Sequence, residues 1–242
     1  MADEDPVFET TTGPVRVITA ASLFDGHDAA INVMRRLIQS SGAEVIHLGH
    51  DQSAKAVVDC AVQEDAHAIA LTSYQGGHVE YFSYIRQLLD EAGCEHVRIF
   101  GGGGGTITPP EIRTLHQSGI TKIYSPDDGR SMGLMGMIHH LMGLAAEVDL
   151  IADARLASMD GPVTVDDMAK VGLLMTLSEC ADDATFKAAI ETARSSDKEV
   201  PVIGFTGTGG AGKSSLLDEL MLRIQRDNPG KKVCLLCVDP TR

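Results

Sequence analysis

Basic charge is scarce in this chain: 20 Lys and Arg stand against 34 Asp and Glu, a formal net charge of −14. Phosphate backbones are held by clustered cations, so this balance excludes a nucleic-acid partner. Long apolar runs are missing too, which excludes a bilayer-spanning helix and gives no reason to expect a membrane partner. The opening stretch, Met1–Pro14, carries Asp3, Glu4 and Asp5 and lacks the basic start and apolar middle of a secretory leader. With no address visible, the expected location is the cytoplasm. In that compartment five cysteines read as free thiols, not as a disulfide framework. Internal repeats are absent, and low complexity is confined to Gly101–Gly105. What is present suits a folded chain: 43% hydrophobic residues, 22% charged and a mean hydropathy of +0.01 over 242 residues.

From Val15 short apolar runs alternate with amphipathic stretches. The expected strands are Val15–Ala20, Glu44–Leu48, Ala68–Thr72, Val97–Phe100 and Ile120–Tyr124. Between and after them the spacing predicts helices over Asp28–Ser41, Ser53–Glu64 and His78–Ala92, one starting at Pro109-Pro110 behind a Thr108 cap, and one over Arg130–Glu147. The first shows Ile31, Met34, Leu37 and Ile38 on one face. Five βα units in a row imply an α/β domain with a parallel sheet, most simply in the flavodoxin-like (Rossmann-like) order 2-1-3-4-5. Residues 149–196 are rich in Ala, Met, Asp and Glu. They read as a helical connector, with helices at Val165–Ser178 and Ala184–Ser195. A β-α-β unit follows: strand Val200–Phe205, a glycine loop, helix Ser214–Arg226 and strand Val233–Val238. The expected division is a disordered tail at 1–14, a first domain at 15–148, the connector at 149–196, and an incomplete P-loop domain at 197–242.

In open α/β sheets ligands sit beyond the carboxyl ends of the strands. The unusual residues fall in those loops: Asp25-Gly26-His27-Asp28, then Thr72-Ser73-Tyr74-Gln75-Gly76-Gly77-His78, then Gly101–Gly105. Consecutive glycines are useful where a large ligand must approach the main chain. A carboxylate two residues before a histidine can hold one ring nitrogen and leave the other for a metal. A loop histidine beside a helix-capping Asp has the same spacing. Further on, Gly207-Thr-Gly209-Gly210-Ala211-Gly212-Lys213-Ser214 fits G-x4-G-K-[ST] between a strand and a helix. There the backbone N–H groups cradle phosphates, Lys213 reaches the terminal ones, and Ser214 holds Mg²⁺, with Ser215 beside it. Asp239 is either a second Mg²⁺ holder or an ordinary strand-end residue. Cys234 and Cys237 form a CxxC, but on a strand they face opposite sides and read as two core thiols. His47, His50, His139 and His140 read as surface or core residues. The Met and Gly positions of 132–143 allow close packing of their helix against sheet or ligand.

Asp25-Gly-His27-Asp-Ala-Ala30, Thr72-Ser-Tyr74 and Gly101-Gly102 resemble the DxHxxG…SxL…GG signature of cobalamin-binding domains. The resemblance implies that His27 is the axial ligand of cobalt and Asp25 its partner. Thr72 then takes the Ser position, and Gly101 and Gly102 flank the cofactor's displaced nucleotide tail. Gly26, Ser73, Tyr74, Gly76 and Gly77 complete the expected cofactor loops. Two residues depart from the signature: Ala30 replaces Gly, and Tyr74 replaces Leu and is expected to reshape the slot. The Tyr-Gln-Gly-Gly-His run is similar to that of acyl-CoA mutases, isobutyryl-CoA mutase especially. The order of cobalamin domain, connector and P-loop resembles the fused isobutyryl-CoA mutases. That implies adenosylcobalamin, GTP with Mg²⁺ on a GTPase chaperone unit, an acyl-CoA-binding barrel outside these residues, and a homodimer. On this reading the 242 residues bind cobalamin, turn over no acyl-CoA and bind nucleotide feebly. A corrinoid carrier of a methyltransferase system is the alternative, but such carriers bring a helical cap where only 14 residues precede strand one. A signalling receiver needs an acceptor Asp where Thr72-Ser73 stands.

Overall fold

The computed structural model describes residues 6, 8–164, 166–194 and 200–237. It divides into two compact units, Met1–Ser196 and Asp197–Arg242. In the first, a hairpin of β1 (Glu9–Thr10) and β2 (Gly13–Pro14) precedes five parallel strands: β3 (Arg16–Ser22), β4 (Glu44–Gln52), β5 (Ala68–Thr72), β6 (Arg98–Gly102) and β7 (Lys122–Tyr124). Their order is β4-β3-β5-β6-β7, the flavodoxin-like order. β3 and β5 are buried along their whole length, as inner parallel strands covered on both faces are. β4 lies at an edge and is only half-buried. Its register against β3 slips twice, and Gly49 (φ +89°) supplies the left-handed residue that the slip needs.

Helices cover both faces. On one lie α2 (Ala54–Gln63), α3 (His78–Glu91) and α4 (Pro109–Gln117), burying Val57, Phe82, Ile85, Leu89 and Leu115 against Ile69 and Ile99. On the other lie α1 (Asp28–Ser40) and α5 (Pro126–Ala146), burying Ile38, Ile138, Leu141 and Met142 against Ala70 and Phe100. The starts of α2, α4 and α5 are fixed by side chains. Ser53 accepts the Ala56 N–H, Glu111 accepts from both the amide and the hydroxyl of Thr108, and Ser125 exchanges hydrogen bonds with Asp128.

The structure corrects several expectations. Residues 9–14 are not a disordered tail. They form the hairpin and bury Thr12, whose hydroxyl lies 3.4 Å from His67 Nε2. α5 starts at Pro126, four residues early, because the Ser125–Asp128 box captures its first turn; Gly133 (φ 67°, ψ 175°) then breaks it. Residues 149–194 form α6 (Asp153–Ala157), α7 (Met168–Cys180) and α8 (Asp183–Ala193). These close a small core of Met159, Leu173 and Leu177. They are also tied to the sheet: buried Asp65 accepts 2.6 Å from Arg155 and 2.7 Å from Thr176, whose hydroxyl in turn accepts 2.9 Å from Arg16.

In the second unit the described residues form α9 (Lys213–Asp227) and no strand. Val200–Phe205 and residues 233–237 are irregular, with Val202 93% and Leu236 86% exposed. A parallel strand is stable when neighbouring strands pair with it and helices bury it on both sides, and the described residues of this unit supply one helix and no paired strand. Cys234 and Cys237 are therefore exposed, not core thiols. Among the described residues no helix is long and apolar enough to cross a membrane.

Candidate functional site

The loop from β3 into α1 carries the first feature. Asp25 is fully buried although it sits in a loop. Its Oδ1 accepts from the His27 amide at 2.9 Å and from His27 Nδ1 at 2.8 Å; its Oδ2 accepts from the Tyr74 amide at 2.7 Å. Burial pushes the carboxyl pKa up, but the Tyr74 and His27 amides and the His27 ring outweigh it and hold the group below its ordinary value. With Nδ1 committed as donor, the His27 tautomer leaves Nε2 as the ring's lone-pair nitrogen. The His27 side chain is 64% exposed and stands at the N-cap of α1.

Beside this loop is an apolar cavity of about 70 Å³ between the sheet and the α1–α5 face. Thr72 and Gly102 pair across β5 and β6 and form part of its floor. Ile31, Met34 and Ile38 of α1 and Met137, Ile138 and Leu141 of α5 wall it. Thr72 Oγ1 is buried with no hydrogen-bond partner. Such an orphan normally costs about 1–3 kcal/mol and marks a place where a partner belongs. α1 therefore carries a histidine at its head and a cavity wall along its flank. Tyr74 does not reshape this space. It packs over His27, ring centroids 5.4 Å apart, and is not among the cavity's walls. Ala30 sits in the first turn of α1, partly buried, and leaves the helix regular.

The five-glycine run divides by cause. A Cβ on Gly101 would meet Phe82 at 2.4 Å, and one on Gly103 would meet the Ser73 carbonyl at 1.9 Å. Gly104 is left-handed (φ +58°) beside Tyr74. Packing within the protein thus requires 101 and 103, while Gly102 serves the cavity. Gly26 and Gly76 leave open space, and Gly77 (φ +80°) caps α3. Ser73 is buried, accepting from Ser22 Oγ at 2.9 Å and donating its amide to Gly102.

Several of these residues escaped the sequence reading. Ser22 and the helical cavity walls gave no distinct signal, because a cavity wall and a core stripe have the same helical spacing. The Met and Gly content of α5 was the one hint. Of the four histidines set aside, His47 lies 3.0 Å from Thr19 Oγ1, His50 is exposed, His139 packs on Phe8, and His140 contacts the Tyr124 hydroxyl at 2.9 Å.

In the second unit residues 207–212 form the expected loop before α9. Gly210 (φ +74°) and Gly212 (φ +79°) take left-handed turns closed to other residues. Lys213 Nζ folds back onto the Gly207 and Thr208 carbonyls at 2.7 and 2.9 Å. Ser214 and Ser215 lie in the first turn of α9. Asp239 lies outside the described residues.

Comparison with known proteins agrees with both units. The B12 binding domain family matches residues 15–127. The family described as methylmalonyl Co-A mutase-associated GTPase MeaB matches 171–242, so its match reaches back over α7 and α8. A fused isobutyryl-CoA mutase of Geobacillus kaustophilus is 49% identical over 235 residues, covering 94% of this chain and 21% of that protein. Its counterpart in Cupriavidus metallidurans is 50% identical over 229 residues, again 94% of this chain and 21% of that protein. The chain thus spans about a fifth of the length of these relatives. The 2-hydroxyisobutanoyl-CoA mutase small subunit of Aquincola tertiaricarbonis is 33% identical over 115 residues, 47% of this chain and 82% of that subunit. By these matches the chain belongs to the B12-binding acyl-CoA mutase family, alongside the fused isobutyryl-CoA mutases.

Proposed function

We propose that this chain is the cobalamin-holding and G-protein segment of an adenosylcobalamin-dependent acyl-CoA mutase that interconverts isobutyryl- and n-butyryl-CoA. One observation carries the reading: a histidine fixed through Nδ1 by a buried carboxylate, next to an apolar cavity with an unpartnered hydroxyl on its floor. His27 Nε2 would ligate cobalt, and Asp25 would set its tautomer and strengthen it as a ligand. The nucleotide tail would enter the cavity, where Thr72 Oγ1 meets a polar atom on the tail and Gly102 leaves room. About 70 Å³ is well below the roughly 300–1,000 Å³ of ligand pockets, so the walls must give. Met34 and Met137 are the adaptable side chains there. Bound adenosylcobalamin supplies a homolytically cleavable cobalt–carbon bond; the protein supplies position and shelter.

The second unit would hold GTP. Loop amides of Gly207, Gly209, Gly210, Ala211 and Gly212 face the phosphates, Lys213 leaves its carbonyls for them, Ser215 stands beside them, and Ser214 takes Mg²⁺. An acyl-CoA-binding barrel, a homodimeric assembly and a cytoplasmic location complete the proposal. The relatives' name, fused isobutyryl-CoA mutase, supports a mutase part joined to this segment.

A cavity-blocking variant tests the tail slot. Gly102→Val should weaken hydroxocobalamin binding at least about tenfold, while cobinamide, which lacks the tail, binds as to wild type. Unchanged cobalamin binding by Gly102→Val would overturn the slot assignment.

A further inference from the structure

The loop that carries His27 is held by a residue from a different strand. β4 runs past its bulge to Gln52, and Asp51 adopts a left-handed backbone (φ 56°). From there it grips the β3–α1 loop at two adjacent places. Its Oδ1 accepts the Phe24 amide at 2.7 Å, and its own amide donates to the Asp25 carbonyl at 3.3 Å. Phe24 is left-handed as well (φ 64°), which is unfavourable for an aromatic residue, and its side chain is 79% exposed. Two strained non-glycine residues facing each other persist only where their surroundings over-determine them. The strain falls immediately before Asp25, whose carboxylate then reaches both His27 and the Tyr74 amide. Bulges beside sites commonly re-aim a side chain in this way.

We propose that Asp51 is a positioning residue for the cobalt ligand: by clamping Phe24 and Asp25 it fixes where Asp25 presents the His27 ring. This rests on the reading of His27 as the ligand. The two hydrogen bonds and the left-handed backbone are separable by substitution. Asn keeps an acceptor oxygen and tolerates the left-handed region. Gly relieves the backbone but removes the acceptor, and Ala fails on both counts.

The test uses the full chain with cob(II)inamide, which brings no nitrogen base of its own, reading the nitrogen superhyperfine splitting in the EPR spectrum, together with hydroxocobalamin affinity. Asp51→Asn should keep the splitting and the affinity. Asp51→Gly should bind about tenfold more weakly, the effect of one lost charge-assisted hydrogen bond, with part of its cobalt losing the splitting. Asp51→Ala should lose more. In the cofactor-free chain the Phe24 amide should exchange with solvent faster in Asp51→Gly than in Asp51→Asn, which verifies folding and the loss of the clamp independently. If Asp51→Gly exchanges faster at Phe24 yet keeps full splitting and affinity, the positioning role is refuted. His27→Ala serves as the reference. Splitting that survives in His27→Ala sinks the ligand assignment itself, whereas splitting lost there but retained in Asp51→Gly sinks only the clamp.

Discussion

Removing the Asp25 carboxylate should show how much of the loop depends on one buried group. In Asp25→Ala the amides of His27 and Tyr74 and the His27 ring lose their shared acceptor. Both amides are in part-buried surroundings, so the cost lies toward the low end of the range for stranded donors, together about 2–4 kcal/mol. For a unit of this size that corresponds to a fall in Tm of roughly 5–15 °C. Asp25→Asn should lose less, about 1.5–3 kcal/mol, because one amide oxygen remains but the NH₂ must face a donor. The pH dependence has a fixed sign. A carboxyl held below its ordinary pKa contributes stability that is present above the unfolded value, near 3.9, and is lost as pH falls through the lower folded value. The carboxyl's part of the difference between wild type and Asp25→Ala should therefore shrink as pH falls below about 4. Urea unfolding followed by circular dichroism measures it. An Asp25→Ala chain within about 0.5 kcal/mol of wild type at pH 7 would refute the argument.

Three further outcomes follow from the geometry. Gly103→Ala places a Cβ on the Ser73 carbonyl and should cost about 2–4 kcal/mol, whereas Gly105→Ala enters open space and should stay within about 0.5 kcal/mol; equal Tm values for the two would contradict the packing. Burial and the Arg16 guanidinium push His67 down to about 4, and burial with Arg155 does the same to His96. Each is kept neutral when folded, so stability is full above the unfolded value of about 6.5 and falls as pH drops toward 4; a flat urea midpoint between pH 7 and 5 would count against it. Cys234 and Cys237 are exposed, whereas burial raises the Cys60 and Cys94 thiols to about 11. An aromatic disulfide reagent at pH 7.5 should thus react rapidly with the first two and slowly with the latter two, and protection of Cys234 and Cys237 would restore the strand reading.

The parallel sheet was legible because its inner strands β3 and β5 are buried on both faces. Ala68–Thr72 emerged with its observed bounds, and helices α2 and α4 announced themselves through Ser53 and Thr108. Edge and terminal features were harder. β4 extends four residues past Leu48 because a bulge, which leaves no periodic trace, carries it on to Gln52. The hairpin at 9–14 is too short for alternation to show. Asp25 and His27 were visible as a pair, but the glycine run was read as serving a ligand throughout. Two of its members answer instead to Phe82 and the Ser73 backbone, contacts that only three dimensions reveal. Asp51 gave no signal at all, since an Asp in a loop is ordinary until its backbone angle is known. The apolar stretches at 200–205 and 233–237 have strand-like composition, yet composition does not supply a sheet for them to join.

The central claim is that His27 supplies the nitrogen below cobalt, and isotopic substitution tests it most directly. The full chain is prepared with ¹⁵N-histidine as its sole labelled residue and loaded with cob(II)inamide, which brings no nitrogen base of its own. A histidine ligand should convert the three-line nitrogen splitting of each cobalt line into a two-line pattern, and His27→Ala should abolish the splitting while the chain stays folded. A three-line pattern that persists with labelled histidine, or a splitting that survives in His27→Ala, would contradict the account.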